Sequence, residues 1–315
     1  MTPRDVSPGP SHDRGGPVVV AVDGSDHSLK ALDWALAAGR AAGAEVVVAH
    51  VLPDHAQIWQ ARRTAVLGEP DDPAPDPVAE AVRRSLDGRG DLPPVRYASL
   101  AGAVPDALEE QALRARMLVM GSRGRGGFAS LLLGSNSRVC ATRAACPVVV
   151  VPHAARAANL AGGPAVARVV LGLNPAETAD DAVGFAFARA AEHAMPLTVV
   201  SAFLDPVAAL PLFGTPGAAM AGVPLEDPAP LIRELERAQQ ERLAPFRAAH
   251  PGVAVASEVG AGDAAGQLVA HSETAALLVV GRHRTRRHAD SLLMGSVANA
   301  ALLHARCPVA VVPAS

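Results

Sequence analysis

Lysine is almost missing from this chain: of its 28 basic residues, Lys30 is the sole lysine. A P-loop needs G-x-x-x-x-G-K-[ST], whose lysine reaches the β- and γ-phosphates. No such string occurs, so any nucleotide must be gripped another way. Cysteine is scarce too, with three in 315 residues. Cys140, Cys146 and Cys307 form no C-x-x-C pair and sit in apolar surroundings, which marks them as small core residues rather than a disulfide or zinc framework. No apolar run approaches the roughly 20 residues needed to span a bilayer. The N-terminus, Met1-Thr2-Pro3-Arg4-Asp5, opens no apolar h-region of a secretory signal, and cytoplasm is the default location. A net charge of −3 gives no broad electrostatic reason to expect DNA, RNA or an anionic membrane as partner.

What the chain does have is length for two domains of about 150 residues, and the 50% hydrophobic content to give each a core. It also repeats itself. Val18-Val19-Val20-Ala21-Val22-Asp23 matches Val169-Val170-Leu171-Gly172-Leu173-Asn174 at an offset of 174 − 23 = 151, and the same offset carries Asp54 onto Asp205. At the glycine loop the offset is 281 − 121 = 160, and at a later Gly-Ser pair it is 295 − 134 = 161. Tandem duplication, with a longer middle segment in the second copy, accounts for all three offsets.

Periodicity separates the elements of the first copy. Pro17 to Val22 is a short Val-rich run suited to a parallel strand buried on both faces. Ser25 or Asp26 can cap a helix in which Leu29, Leu32, Ala35 and Leu36 recur, with Gly43 as the stop. Strands follow at Glu45 to Val51, Val95 to Leu100, Arg116 to Met120 and Pro147 to Val151. Between them lie helices at Val78 to Leu86, Val104 to Ala115 and Asn136 to Ala145. This β-α alternation predicts an α/β fold of two tandem Rossmann-like domains, each a five-stranded parallel sheet with helices on both faces. Ligands of such sheets sit beyond the carboxyl ends of the strands. Asp23 and Gly121 would converge there if strands one and four are neighbours. Residues 1–15 read as a disordered tail, 16–152 as the first domain, 153–167 as a linker and 168–315 as the second domain.

The chemistry concentrates in Met120-Gly121-Ser122-Arg123-Gly124-Arg125-Gly126-Gly127, followed by Gly134-Ser135-Asn136. Glycines after a buried strand let a phosphate approach main-chain N–H groups, and a Gly-Ser pair opening a helix supplies more of them. The alternative is a plain strand-to-helix connection with Ser135 as its N-cap. The spacing G-2x-G-9x-G-[ST], over Gly121, Gly124, Gly134 and Ser135, favours the ligand. Arg123 and Arg125 could add charge-assisted bonds to phosphate or point into water.

With Val22-Asp23-Gly24-Ser25 after strand one, His50-Val51 after strand two and Cys146-Pro147-Val148 at the last strand, the chain resembles the universal stress protein family, in its tandem-domain bacterial form and ATP-binding branch. The resemblance covers residues 17–152 and, more loosely, 168–313. It implies ATP in the first βα crevice, with Mg²⁺ accompanying the triphosphate. Ala21, Val22 and Asp23 would meet the adenosine, Val51 would line the adenine, and Gly121, Gly124, Gly134 and Ser135 would hold ribose and phosphates. Ser122, Arg123, Arg125, Gly126, Gly127 and Asn136 complete the candidate set. A homo-oligomer, a dimer, is the assembly that the resemblance implies, and the short apolar strands at Val148 to Val151 and Val309 to Val312 suit pairing.

The second copy departs from this pattern. Asn174 replaces the aspartate, Pro175 follows it, and Arg284 takes the place of the second motif glycine, where a side chain would obstruct a phosphate. Arg282, His283, Arg284, Arg286, Arg287 and His288 could bind an anion through side chains, or form a solvated loop. His283 and His288 lack a third metal ligand at suitable spacing. No general base, arginine finger or poised nucleophile is evident in either copy. The expectation is therefore a regulatory nucleotide-dependent stress-response protein, with a slow ATPase or nucleotide-transferring enzyme and a ligand-free assembly module as the rivals.

Overall fold

The computed structural model describes residues 15–53, 76–124, 133–152, 167–203, 228–282 and 294–315. The proposed tail and linker therefore lie almost wholly outside the described residues. The chain separates into two compact units, Met1–Ala157 with Ala310–Pro313 and Ala158–Val309 with Ala314–Ser315.

In the first unit the elements are β1 Val18–Ala21, α1 Asp26–Ala41, β2 Val46–Val51, α2 Pro77–Leu86, β3 Val95–Leu100, α3 Val104–Ala112, β4 Met117–Gly121, α4 Ser135–Arg143 and β5 Val148–Val151. Its strands run in the order β3-β2-β1-β4-β5, all parallel. Strand β1 lies between β2 and β4, pairing Val20 with Val48 on one side and Val119 on the other. The condition for Asp23 and the glycine loop to converge is thereby met. Val18, Val19 and Val20 are each at most 1% exposed, as an unbroken apolar run requires when both sheet faces are covered. Burying each such side chain contributes about 1.5–3 kcal/mol.

Helix α1 starts where its signals lie. Ser25 caps it by accepting from Ser28 N at 3.3 Å, and Ser28 Oγ donates back to Ser25 O at 2.8 Å. Asp26 in the first turn and Arg40 in the last both favour the helix dipole. Of the face expected from the spacing, Leu32, Ala35 and Leu36 are buried, with Ala31 beside them, whereas Leu29 is 36% exposed.

The second unit contains β6 Arg168–Gly172, α5 Asp180–Glu192, β7 Leu197–Phe203, α6 Ala229–Ala249, β8 Val255–Ala261, α7 Ala264–His271, β9 Ala275–Arg282 and α8 Ser296–His304. The last strand of the chain, β10 Val309–Pro313, is divided between the units after Val309. Parallel pairing gives β8-β7-β6-β9. One local difference is imposed by sequence. Gly24, in the turn after β1, has φ +79, which the equivalent Pro175 cannot adopt because its ring holds φ near −65°. The second unit's turn is closed by Asn174, whose main-chain oxygen accepts from Glu177 and Thr178 at 3.1 and 2.9 Å. Helix α5 then begins at Asp180, three residues later than the repeat offset from Asp26 would place it.

Candidate functional site

The strand ends of the first unit open on a cavity of about 410 Å³. Ala49 and Val51 of β2, Val104 and Leu108 of α3 and Met120 of β4 supply an apolar part; Asp23, Arg123, Gly124, Ser135 and Asn136 supply a polar one. Its volume falls within the roughly 300–1,000 Å³ usual for small-molecule sites.

The turn after β1 fixes Asp23. Its Oδ1 accepts from Ser25 N at 3.0 Å and from Ser25 Oγ at 2.6 Å, so the carboxylate organises the entry to α1 while lining the cavity. Across from it lies Gly124: a Cβ built there would stand 2.5 Å from Asp23 Oδ2. The missing side chain there makes room for the Asp23 carboxylate. Gly121 is different, since a Cβ there would meet the backbone carbon and oxygen of His27 at 2.8 Å. Packing of α1 on β4 by itself demands that Gly121 lack a side chain.

Ser122 is buried and is not among the lining residues. Its N–H donates to Val151 O at 2.9 Å and its oxygen accepts from Gly134 N at 2.7 Å, which pins the start of α4 to the end of β4. Gly134, not Ser135, is the N-cap of α4, and no side chain caps that helix. The first-turn N–H groups of an α-helix have no intrahelical partner, so the turn at Ser135 and Asn136 offers donors at the positive end of the dipole. Ser137, which the sequence reading passed over, donates from Oγ to Gly121 O at 2.8 Å and ties the two parts of the loop together.

A buried polar network lies at the end of β2. His50 lies inside the strand, within the predicted run Glu45 to Val51, is 7% exposed, and has Ser99 as its register partner on β3. Asp76, 6% exposed, joins both. Its carboxylate stands 2.8 and 2.9 Å from His50 Nδ1, accepts from Ser99 Oγ, and caps α2 by accepting from Val78 N and Ala79 N at 3.0 and 3.1 Å. Burial pushes the Asp76 carboxyl up, but the bonds from Ser99, Ala79 and His50 together hold it below the ordinary carboxylate range. In the second unit Ser201 stands where His50 would be, and the completely buried Gln239 of α6 donates from Nε2 to Ser201 Oγ at 3.0 Å and to Val199 O at 3.2 Å. The same position is thus fastened by ionisable groups in one unit and by neutral ones in the other.

Of the residues singled out from sequence, Ala21, Val22, Asp23, Val51, Gly121, Arg123, Gly124, Gly134, Ser135 and Asn136 line this one cavity. Arg125, Gly126 and Gly127 lie outside the described residues, as do His283, Arg284, Arg286, Arg287 and His288. Ser28, Ala49, His50, Val104, Leu108, Met120 and Ser137 also line it. No group of three or more potential metal ligands occurs among the described residues, and no helix among them is long and apolar enough to cross a membrane.

Comparison with known proteins gives one family. The description Universal stress protein family fits residues 16–152 and again 166–313. A universal stress protein of Mycobacterium tuberculosis is 31% identical over 308 residues, covering 93% of this chain and 96% of that relative. Another from Mycolicibacterium smegmatis is 28% identical over 307 residues, covering 94% of this chain and 96% of its own. Among solved structures, a universal stress protein from Archaeoglobus fulgidus superposes with a TM-score of 0.60 at 18% identity, over 97% of this chain and 100% of that one.

Proposed function

The chain belongs to the universal stress protein family, and on that premise we propose that its first unit binds ATP and uses it as a regulatory ligand in the stress response. One observation carries the reading: a single cavity joins an apolar slot to an uncapped helix start. In this reading the adenine lies among Val51, Val104 and Leu108. Asp23, a hydrogen-bond acceptor, serves ribose hydroxyls and would repel phosphate. The phosphate chain runs past Arg123, which adds positive charge, to the N–H groups of Ser135 and Asn136.

Mg²⁺ would arrive with the triphosphate. The described residues offer it no dedicated cage, which suits an ion that keeps most of its ligands as phosphate oxygens and water. It would neutralise phosphate charge, while the protein's part is to bind and orient. Asp23 Oδ1 is engaged by Ser25 and His50 Nδ1 by Asp76, which favours a binding role over rapid turnover. ATP then acts by stabilising whichever conformation or assembly binds it more tightly, an assembly with a second copy of the chain included.

Equilibrium dialysis of labelled ATP against the whole chain tests the proposal. Saturable binding that is lost in Gly124→Arg, with the circular dichroism of the variant unchanged, supports it. No binding at millimolar ATP refutes it.

A further inference from the structure

Helix α4 carries two arginines, and one of them stands where a helix disfavours a cation. Arg143, in the last turn, lies at the negative end of the helix dipole and pairs with Asp106 and Glu109 at 3.5 and 3.2 Å. Arg138 lies at the opposite end. Its N–H donates to Gly134 O at 3.1 Å, closing the first turn of a helix that has no acid there. A cation at this place adds to the positive end of the dipole, where a carboxylate would be favoured. Among the described residues no carboxylate pairs with the Arg138 guanidinium.

The helix does not need Arg138 in order to form. Along the repeat its place is taken by Asn299, whose N–H closes the first turn of α8 on Gly295 O at 3.0 Å. The same backbone turn is thus built around a neutral side chain.

What lies beside Arg138 suits a partner of negative charge. Ser135, three residues before it, is exposed and lines the first unit's cavity. Residues three apart share a helix face, and helical side chains lean toward the N-terminus, so the Arg138 side chain covers the turn that begins at Ser135. Arg138 is not among the residues that line the cavity. Its cation therefore stands outside the space that encloses a nucleoside, on the side where a phosphate chain emerges past the Ser135 amide.

We infer that Arg138 holds the outermost phosphate of the bound nucleotide by a forked, charge-assisted contact, and so makes the site prefer a triphosphate to a monophosphate. The inference rests on the reading that the first unit binds ATP, and it concerns the number of phosphates rather than the base.

Calorimetric titration of the full chain with ATP and, separately, with AMP tests it. Arg138→Gln should weaken ATP binding about tenfold and leave AMP unchanged; Arg138→Glu should weaken ATP further, and Arg138→Lys less than Arg138→Gln. The ligand-free Arg138→Glu chain should melt no lower than the parent, because an acid then replaces a cation near the positive end of the helix. A purely structural role would not keep stability while losing the triphosphate. Equal weakening of ATP and AMP, an ATP affinity untouched by Arg138→Gln, or a ligand-free Arg138→Glu chain that melts lower overturns the inference while the first-unit reading stands. An unaltered chain that binds neither nucleotide removes the first-unit reading, and the inference with it.

Discussion

Replacing Asp76 by alanine should strike the first unit harder than any other single carboxylate change, because one side chain there serves three elements. It caps α2, holds His50 of β2 and receives Ser99 of β3. Loss of an N-cap costs about 1 kcal/mol. Stranding the buried His50 nitrogen and Ser99 hydroxyl costs about 1–3 kcal/mol each, so the sum is about 3–7 kcal/mol. For a unit of about 150 residues each kcal/mol lowers the melting temperature by about 2–4 °C, which makes a drop of about 6 °C the least to be expected. Asp76→Asn keeps the shape and one acceptor oxygen and should cost less. It should also change the response to acid. The folded carboxyl is held below its ordinary value, so its contribution is fully present above the unfolded value near pH 4 and disappears as pH falls through the lowered folded value. Thermal unfolding followed between pH 7 and pH 3 should therefore show a shallower acid limb in Asp76→Asn than in the unaltered chain. An Asp76→Ala protein that melts within 2 °C of the parent, or identical acid limbs, would refute the argument.

The two glycines of the loop should part company on substitution. Gly121→Ala drives a Cβ against the main chain of His27 and should cost about 1–3 kcal/mol in urea unfolding, whereas Gly124→Ala presses on the Asp23 carboxylate, which Ser25 holds, and should cost no more than about 1 kcal/mol while weakening ATP binding about tenfold or more. All three thiols are buried, and burial pushes those of Cys140 and Cys307 up to about 12. A thiol reagent at pH 8 should label none until the protein is unfolded, then three. ATP at 100 times its dissociation constant should stabilise the first unit by about 2.7 kcal/mol, read as an upward shift of its thermal transition; an unmoved transition contradicts binding.

The parallel sheets were legible because Val-rich runs of four to six residues are what strands covered on both faces demand. Errors fell at the boundaries and had local causes. Pro17 and Pro147 were counted as strand residues; their oxygens accept from Arg116 and Leu118, but neither has an N–H, and β1 and β5 begin one residue later. Helix α3 ends at Ala112 rather than Ala115, as Leu113, Arg114 and Ala115 bond three residues back.

The glycine spacing led to the cavity, yet it could not separate Gly121, cleared for a packed helix, from Gly124, cleared for a carboxylate, since that depends on where His27 and Asp23 land. The Asp76 network was missed for a related reason. Its members lie 26 and 23 residues apart and meet only through the pairing of β2 with β3. A signal was present in Asp76-Pro77, a cap residue followed by proline at the first helical position. In the second copy the Asn174-Pro175 pair did announce a different turn, and the later start of α5 is its consequence.

The account's central claim is that the polar end of the first cavity holds a triphosphate by main-chain N–H groups. A crystal structure of the chain grown with ATP and Mg²⁺ tests it most directly. Phosphate oxygens within hydrogen-bond distance of the Ser135 and Asn136 amides, with the base between Val51 and Leu108, are the predicted result; a well-ordered cavity that stays empty at saturating ATP would contradict it.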